Sequence, residues 1–259
     1  MIELQHLTVG YGAKAVLSDI SQTVRAGQMV CLLGANGVGK STILRTLGGF
    51  LSPLSGKVLI EGRDLLSLTV SQRSRAVSVV LTERVEVPYM KVTDLVGMGR
   101  SPYTGFFGTL SKEDKNIIGE AIEMVEIRNL AERTIDTLSD GERQKALLAK
   151  ALAQQTPIIL LDEPTAFLDF HAKVSTLRLM LRLAHETNKA ILLSTHDVEM
   201  AIQLSDALWI VQDGKIEAGI PTSLTERGIL QHFLQAEGIS YDADRMTLKI
   251  KKSLPAGEA

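Results

Sequence analysis

The hydrophobic pattern of the chain has two periods. Ile2 and Leu4 alternate with Glu3 and Gln5, and His6 continues the alternation, which is the period of a half-buried strand. Farther on, the apolar runs Met29–Leu33, Val77–Leu81, Ile158–Leu161, Ala190–Leu193 and Ala207–Val211 show no alternation and are bounded by turn residues. Short runs of this kind, rich in Val, Ile and Leu, suit parallel strands covered on both faces. Helical patterns lie between several of them, at Ser41–Leu47 and His171–Glu186. Strands alternating with helices predict an α/β sheet.

The middle of the chain is different. From Thr93 to Ala153 no segment reads as a strand. Ser111 is placed to cap a helix with Asp114 at its third position, and Ile117, Ile118, Ala121, Ile122 and Val125 follow at helical spacing. A second long helix is expected from Asp140 through Ala146, Leu147, Leu148 and Leu152. The expectation is a helical subdomain over 83–155 inserted into an α/β core made of 1–82 and 156–220. A tail over 221–259 carries a short helix around Leu224–Leu234.

Composition narrows the function. The chain has 259 residues, 45% of them apolar, enough for one large domain with a sizeable core. Lys and Arg total 28 against 30 Asp and Glu, so the basic excess expected of a nucleic-acid-gripping protein is missing. The single cysteine, Cys31, sits inside an apolar run, where it reads as a small buried hydrophobe and supports neither a disulfide framework nor a cysteine-rich metal site. The opening MIELQHLTVGYG lacks the pattern of a signal peptide, and no run reaches the ~20 apolar residues that cross a bilayer. The expectation is a soluble, cytoplasmic protein.

Two segments carry chemistry by their residue types alone. Gly34-Ala-Asn36-Gly37-Val-Gly39-Lys40-Ser41-Thr42 fits the phosphate-binding pattern G-x-x-x-x-G-K-[ST], with a buried strand before it and a helix after it. Its glycines let backbone N–H groups curl around phosphates, Lys40 reaches the terminal phosphates, and Ser41 can ligate Mg²⁺. The run Ile158–Leu161 ends in Asp162 and Glu163. Beside a phosphate loop, Asp162 takes the metal role and Glu163 polarises the attacking water. A third segment, Leu138-Ser139-Asp140-Gly141-Glu142, opens a predicted helix and makes a second anion-seeking helix terminus.

In this order the motifs resemble the ABC ATPase family over nearly the whole chain. Leu138–Glu142 is similar to that family's LSGGQ signature, with Asp140 in place of a glycine and Glu142 in place of glutamine. Ala166-Phe-Leu-Asp169 resembles its D-loop, Ser194-Thr-His196-Asp197 its switch region, and Tyr11 stands where an aromatic stacks on adenine. The resemblance implies a RecA-like P-loop NTPase core with an N-terminal antiparallel β subdomain and the helical insert, all within one ATPase domain over 1–259. It implies ATP and Mg²⁺ as ligands, with nucleotide contacts from Tyr11, Gly34, Asn36, Gly37, Gly39, Lys40, Ser41, Thr42, Ser139, Gly141, Glu142 and Asp169. Lys40, Glu163 and His196 would be catalytic, His196 through the γ-phosphate. Two copies would dimerise head to tail, ATP on Lys40 of one being capped by Ser139 and Gly141 of the other.

Met98-Gly-Arg-Ser-Pro-Tyr103 followed by Leu110-Ser-Lys-Glu-Asp114 is similar to the ATPases of iron-chelate, haem and vitamin B12 importers. That similarity implies a peripheral subunit on the cytoplasmic face of a bacterial inner membrane, working with a separate permease, indirectly with a substrate-binding protein, and with no nucleic acid. The rivals are a soluble ABC ATPase acting on nucleic acid or ribosomes, which usually carries two cassettes or a coiled-coil insert, and a regulatory module without hydrolysis, against which Glu163 and His196 argue. After the strand Val77–Leu81, where the family places a glutamine that touches Mg²⁺, this chain has Glu83, and the expectation is that Glu83 keeps that role at Mg²⁺ and couples to the permease.

Overall fold

The computed structural model describes residues 1–81, 88–105, 107–236, 240–242 and 247–249. The chain begins with β1 (Ile2–Tyr11), β2 (Lys14–Ile20) and the short β3 (Thr23–Val24), then enters β4 (Met29–Leu33) and α1 (Lys40–Leu47). Next come β5 (Ser55–Ile60), β6 (Arg63–Asp64), α2 (Val70–Ser74) and β7 (Val77–Val80). A helical stretch holds α3 (Val92–Gly97), α4 (Lys112–Met124) and α5 (Asp140–Ala153). The core resumes with β8 (Ile158–Leu161), α6 (Phe170–Thr187), β9 (Ala190–Ser194), α7 (Val198–Leu204), β10 (Ala207–Gln212) and β11 (Lys215–Gly219). The last described elements are α8 (Pro221–Glu226), α9 (Ile229–Ala236), β12 (Ser240–Asp242) and β13 (Thr247–Lys249).

Six strands form the central sheet in the order β11-β10-β4-β9-β8-β7, parallel throughout except for the edge strand β11. Both faces are covered, which is why its strands read as unbroken apolar runs. Alternate residues of one strand feed two different cores. Met29, Cys31 and Leu33 join the side packed by α4, α5 and α6, whereas Val30 and Leu32 join the side packed by α1 and the antiparallel sheet. Burial pushes the Cys31 thiol up to about 12, as befits a packing residue. The antiparallel sheet runs β2-β1-β5-β6, with β3 also on β1.

The expected alternation along β1 fails at His6. Ile2 and Leu4 are buried, but His6 is exposed with φ 48°, and burial resumes at Leu7 and Val9. The register with β5 shifts between Gln5 and Thr8, so a bulge turns His6 outward and moves the core-facing set along by one residue. Two other expectations are adjusted: β7 stops at Val80, short of Leu81, and the tail helix is two helices, parted at Gly228 with φ 72°.

The helical stretch is joined to the core by the two segments that resemble the importer ATPases. Arg100, 4% exposed, donates from Nε to Asp114 Oδ1 at 2.8 Å and from Nη1 to Ala153 O at 2.8 Å and Gln155 Oε1 at 2.9 Å. Its guanidinium lies over the Tyr103 ring, 4.0 Å from the centroid, and Tyr103 donates to Gln154 O. Gln154 in turn donates to Ser74 O and Val77 O at the start of β7. Gly99 permits this packing, since a Cβ there would come within 2.3 Å of Lys150 O on α5. The Ser111 hydroxyl, then Arg100, hold the Asp114 carboxyl down to about 2. Among the described residues no helix is long and apolar enough to cross a membrane.

Candidate nucleotide site

Three neighbouring parallel strands deliver the candidate residues to one edge of the sheet. β4 leads through the loop 34–39 to Lys40, β9 leads to Thr195 and His196, and β8 leads to Asp162 and Glu163. The pairings Leu32↔Ser194 and Leu161↔Leu193 align the three exits. Thr195 N donates to Leu32 O and Asp162 N donates to Val80 O, so the exits are pinned just beyond the strands.

The loop after β4 turns through residues with positive φ: Gly34, Gly37 and Gly39 at 155°, 76° and 116°. Gly39 is the N-cap of α1, and a side chain there would strike Val16 at 2.7 Å and crowd Leu17. With no side chain at the cap, the first-turn N–H groups of α1 receive no side-chain cap bond. Such groups, with the helix dipole behind them, favour an anion. Lys40, 5% exposed, donates from Nζ to Gly34 O at 2.7 Å and Ala35 O at 3.1 Å, lying back across the loop. Asn36 and Ser41 are exposed and Thr42 is buried in the helix. Val16 and Leu17 belong to β2, so the β1–β2 hairpin packs on the loop. Tyr11, 52% exposed, stands at the tip of that hairpin.

At the other two exits, Asp162 is nearly buried and accepts from Ser194 Oγ at 2.7 Å. Glu163 has φ 48°, its N–H donates to Ser194 Oγ at 2.9 Å, and its carboxylate meets His196 Nε2 in a short contact. Asp162, Glu163 and His196 are expected here from the sequence, and Ser194, which opens the segment resembling the switch region, proves to bond to both acids' positions. A polar residue closing the apolar run Ala190–Leu193 is the signal that was available.

The signature segment is built differently. Ser139 caps α5, accepting from Glu142 N at 3.3 Å, while the Glu142 carboxylate accepts from Ser139 N and Ser139 Oγ, both at 2.9 Å. This is a complete capping box. These bonds hold the Glu142 carboxyl below its usual range, the Ser139 backbone N–H first and its hydroxyl second. Gly141 sits in the first turn, where a Cβ would meet Ala172 and Leu168 only at ordinary contact distances. Asp169 caps α6 by accepting from Ala172 N at 2.9 Å. Glu83 lies outside the described residues.

Comparison with known proteins agrees with this arrangement. The ABC transporter family model matches residues 17–166. The chain is 38% identical over 242 residues to an uncharacterized ABC transporter ATP-binding protein of Methanocaldococcus jannaschii, covering 93% of this chain and 83% of that one. It is 32% identical over 228 residues to the ferric enterobactin transport ATP-binding protein of Escherichia coli, covering 88% and 84%. Among solved structures it resembles a metal-chelate type ABC transporter in an inward-facing conformation, with TM-score 0.77 and 26% identity over 89% of this chain and 88% of that one. These matches place the chain in the ABC transporter family as an ATP-binding cassette, an ATPase of that family.

Proposed function

We propose that the chain is the ATP-hydrolysing subunit of an importer for an iron–siderophore, haem or cobalamin, acting from the cytoplasmic face of the membrane on a separate permease. The observation that carries the hydrolytic part is the convergence of Lys40, Asp162, Glu163 and His196 at three adjacent strand ends. The importer part rests on the ferric enterobactin relative and the metal-chelate transporter.

In this reading the α1 terminus and Lys40 hold the β- and γ-phosphates of ATP, and Tyr11 stacks on the adenine. Asp162 and Ser41 offer hard oxygen donors, a carboxylate and an exposed hydroxyl, which is the donor chemistry that suits Mg²⁺. Bound there, Mg²⁺ would neutralise charge on the transferred phosphoryl group. Glu163 orients and deprotonates the attacking water, and His196 turns from Glu163 toward the γ-phosphate.

The second half of the site comes from another copy. Among the described residues nothing within one chain requires glycine at position 141, and glycine inside a helix is destabilising by about 0.5–1 kcal/mol relative to alanine. Close approach of a partner's phosphate supplies the missing reason. The head-to-tail dimer thus places Ser139, Gly141 and Glu142 of one copy over the ATP on Lys40 of the other, with Asp169 at the same interface. Such a dimer has two composite sites, and its closure excludes water. Glu83 is proposed to act near Mg²⁺ and to couple to the permease.

Co-expression with a candidate iron-chelate permease tests this directly. Vesicles containing both should take up chelate only with MgATP inside a right-side-out preparation. Uptake independent of ATP, or ATPase activity that the permease does not alter, would defeat the importer reading.

A further inference from the structure

Ser194 is the last residue of β9 and is fully buried among apolar neighbours. A hydroxyl in that setting is costly unless it is fully hydrogen-bonded. Here it makes two bonds, and their directions are settled by chemistry. Glu163 N–H can only donate, so Ser194 Oγ accepts from it at 2.9 Å. The single hydroxyl proton then goes to Asp162 Oδ1 at 2.7 Å, which requires Asp162 to present an acceptor oxygen.

We propose that Ser194 is a positioning residue for ATP hydrolysis: one hydroxyl sets the metal-side carboxylate of Asp162 and the backbone of the base Glu163 relative to each other. The inference rests on the ATPase reading above. The hydroxyl ties both partners to the end of β9. The Asp162 backbone is held to β7 through Val80 O, and the bond from Ser194 Oγ holds its carboxylate to β9 as well. Glu163 occupies the left-handed region at φ 48°, disfavoured for a residue with a Cβ, and the Ser194 bond holds its N–H in that turn. The Glu163 side chain is then aimed at His196, which follows Ser194 by two residues. Its bonds run to Asp162 and Glu163, so its loss should affect metal placement and chemistry more than ATP capture.

The test uses the full chain with Ser194→Ala and the near-isosteric Ser194→Cys, whose thiol is a weak donor. Two readouts are needed: steady-state MgATP hydrolysis, and Mn²⁺ binding in the presence of a non-hydrolysable ATP analogue, followed by electron paramagnetic resonance. Both variants should lower kcat about tenfold and weaken Mn²⁺ binding about fivefold, the scale of losing one bond to a charged group, with KM for ATP within about twofold of wild type. Should Ser194→Ala fail to fold, Ser194→Cys keeps the packing and reads the same quantities. The proposal is overturned if either folded variant keeps kcat and Mn²⁺ affinity within twofold of wild type. It is equally overturned if kcat falls while Mn²⁺ affinity is unchanged, since loss of packing alone would do that. A wild-type chain without MgATP turnover would defeat the ATPase reading, and the Mn²⁺ arm would still decide the role of Ser194.

Discussion

α1 and α5 both begin at segments whose sequence suggests anion binding, yet the chain finishes them in opposite ways. The N-cap of α1 is Gly39, left-handed, without a side chain, and its first turn has no acidic residue. The N-cap of α5 is Ser139, and its first turn carries Asp140 and Glu142, the latter bonded back to the cap. α4 repeats the second design with Ser111 and Asp114, and there the Asp114 side is buried against Arg100. One terminus therefore leaves its N–H groups and dipole to an external anion, and the other two supply the anion from within. The lesson is that a helix start in isolation does not identify a phosphate site. At α1 the loop geometry and Lys40 make the case within one chain. At α5 the case depends on a second copy, because the single chain is already satisfied.

Variants separate the two termini. Glu163→Gln should leave ATP bound at the α1 terminus while lowering turnover about 10²–10⁴-fold, the contribution of a positioned general base. It should therefore accumulate an ATP-bound dimer that joins an α1 and an α5 terminus, and unchanged steady-state turnover would remove Glu163 from that role. Lys40→Ala strikes the α1 side alone. Losing a charge-assisted phosphate contact should weaken MgATP binding about 10–100-fold, as read by fluorescence titration, and tight binding would break the comparison there. Ser139→Arg strikes the α5 side alone. ATP affinity of the monomer should stay within about threefold, while sedimentation should show no ATP-dependent dimer. A dimer at wild-type concentration would reduce Ser139 to a helix cap.

The acid response should divide the termini as well. Asp114 and Glu142 both have carboxyl groups lowered from their ordinary values in the folded chain. A lowered carboxylate contributes stability that is present above its unfolded value and is lost as pH falls through its folded value. The α4 box should thus hold at neutral pH and give way between about 4 and 2. Asp114→Asn should flatten that part of the acid melting curve, whereas an unchanged curve would place the acid sensitivity elsewhere. The smallest effect is expected for Glu142→Gln. The amide keeps the capping box but removes a negative charge from the surface meant for a partner's γ-phosphate. The ATP concentration for half-maximal dimer should fall about two- to fivefold, the scale of a charge at a helix terminus. A rise would show that the carboxylate assists closure.

Much of this was legible in the sequence, for physical reasons. Parallel strands buried on both faces announce themselves as apolar runs, and the phosphate loop needs glycine and lysine at fixed spacing, so the order of β4, β8 and β9 and the residues at their ends could be read directly. The helix starts at Ser111 and Ser139 were readable because capping boxes are local. What escaped depended on contacts between distant segments. The bulge at His6 answers to pairing with β5 across a register shift, which no local pattern encodes. The segments around Arg100 and Asp114 carried a resemblance, but their reason is a buried ion pair that also grips Ala153 and Gln155. Ser194 belongs to the segment that resembles the switch region, and its two bonds come from another strand's exit.

In the proposed dimer the α1 terminus of one copy meets the α5 terminus of another across ATP. The lone native cysteine, Cys31, is buried with its thiol pushed up to about 12, so engineered cysteines will report without interference. Asn36→Cys and Ser139→Cys, placed together in the Glu163→Gln chain, should form a disulfide between copies when MgATP is added. The product should run at twice 28.2 kDa on a non-reducing gel and be absent with ADP. A cross-link that forms within one chain, or none at all under saturating MgATP, would contradict the composite site.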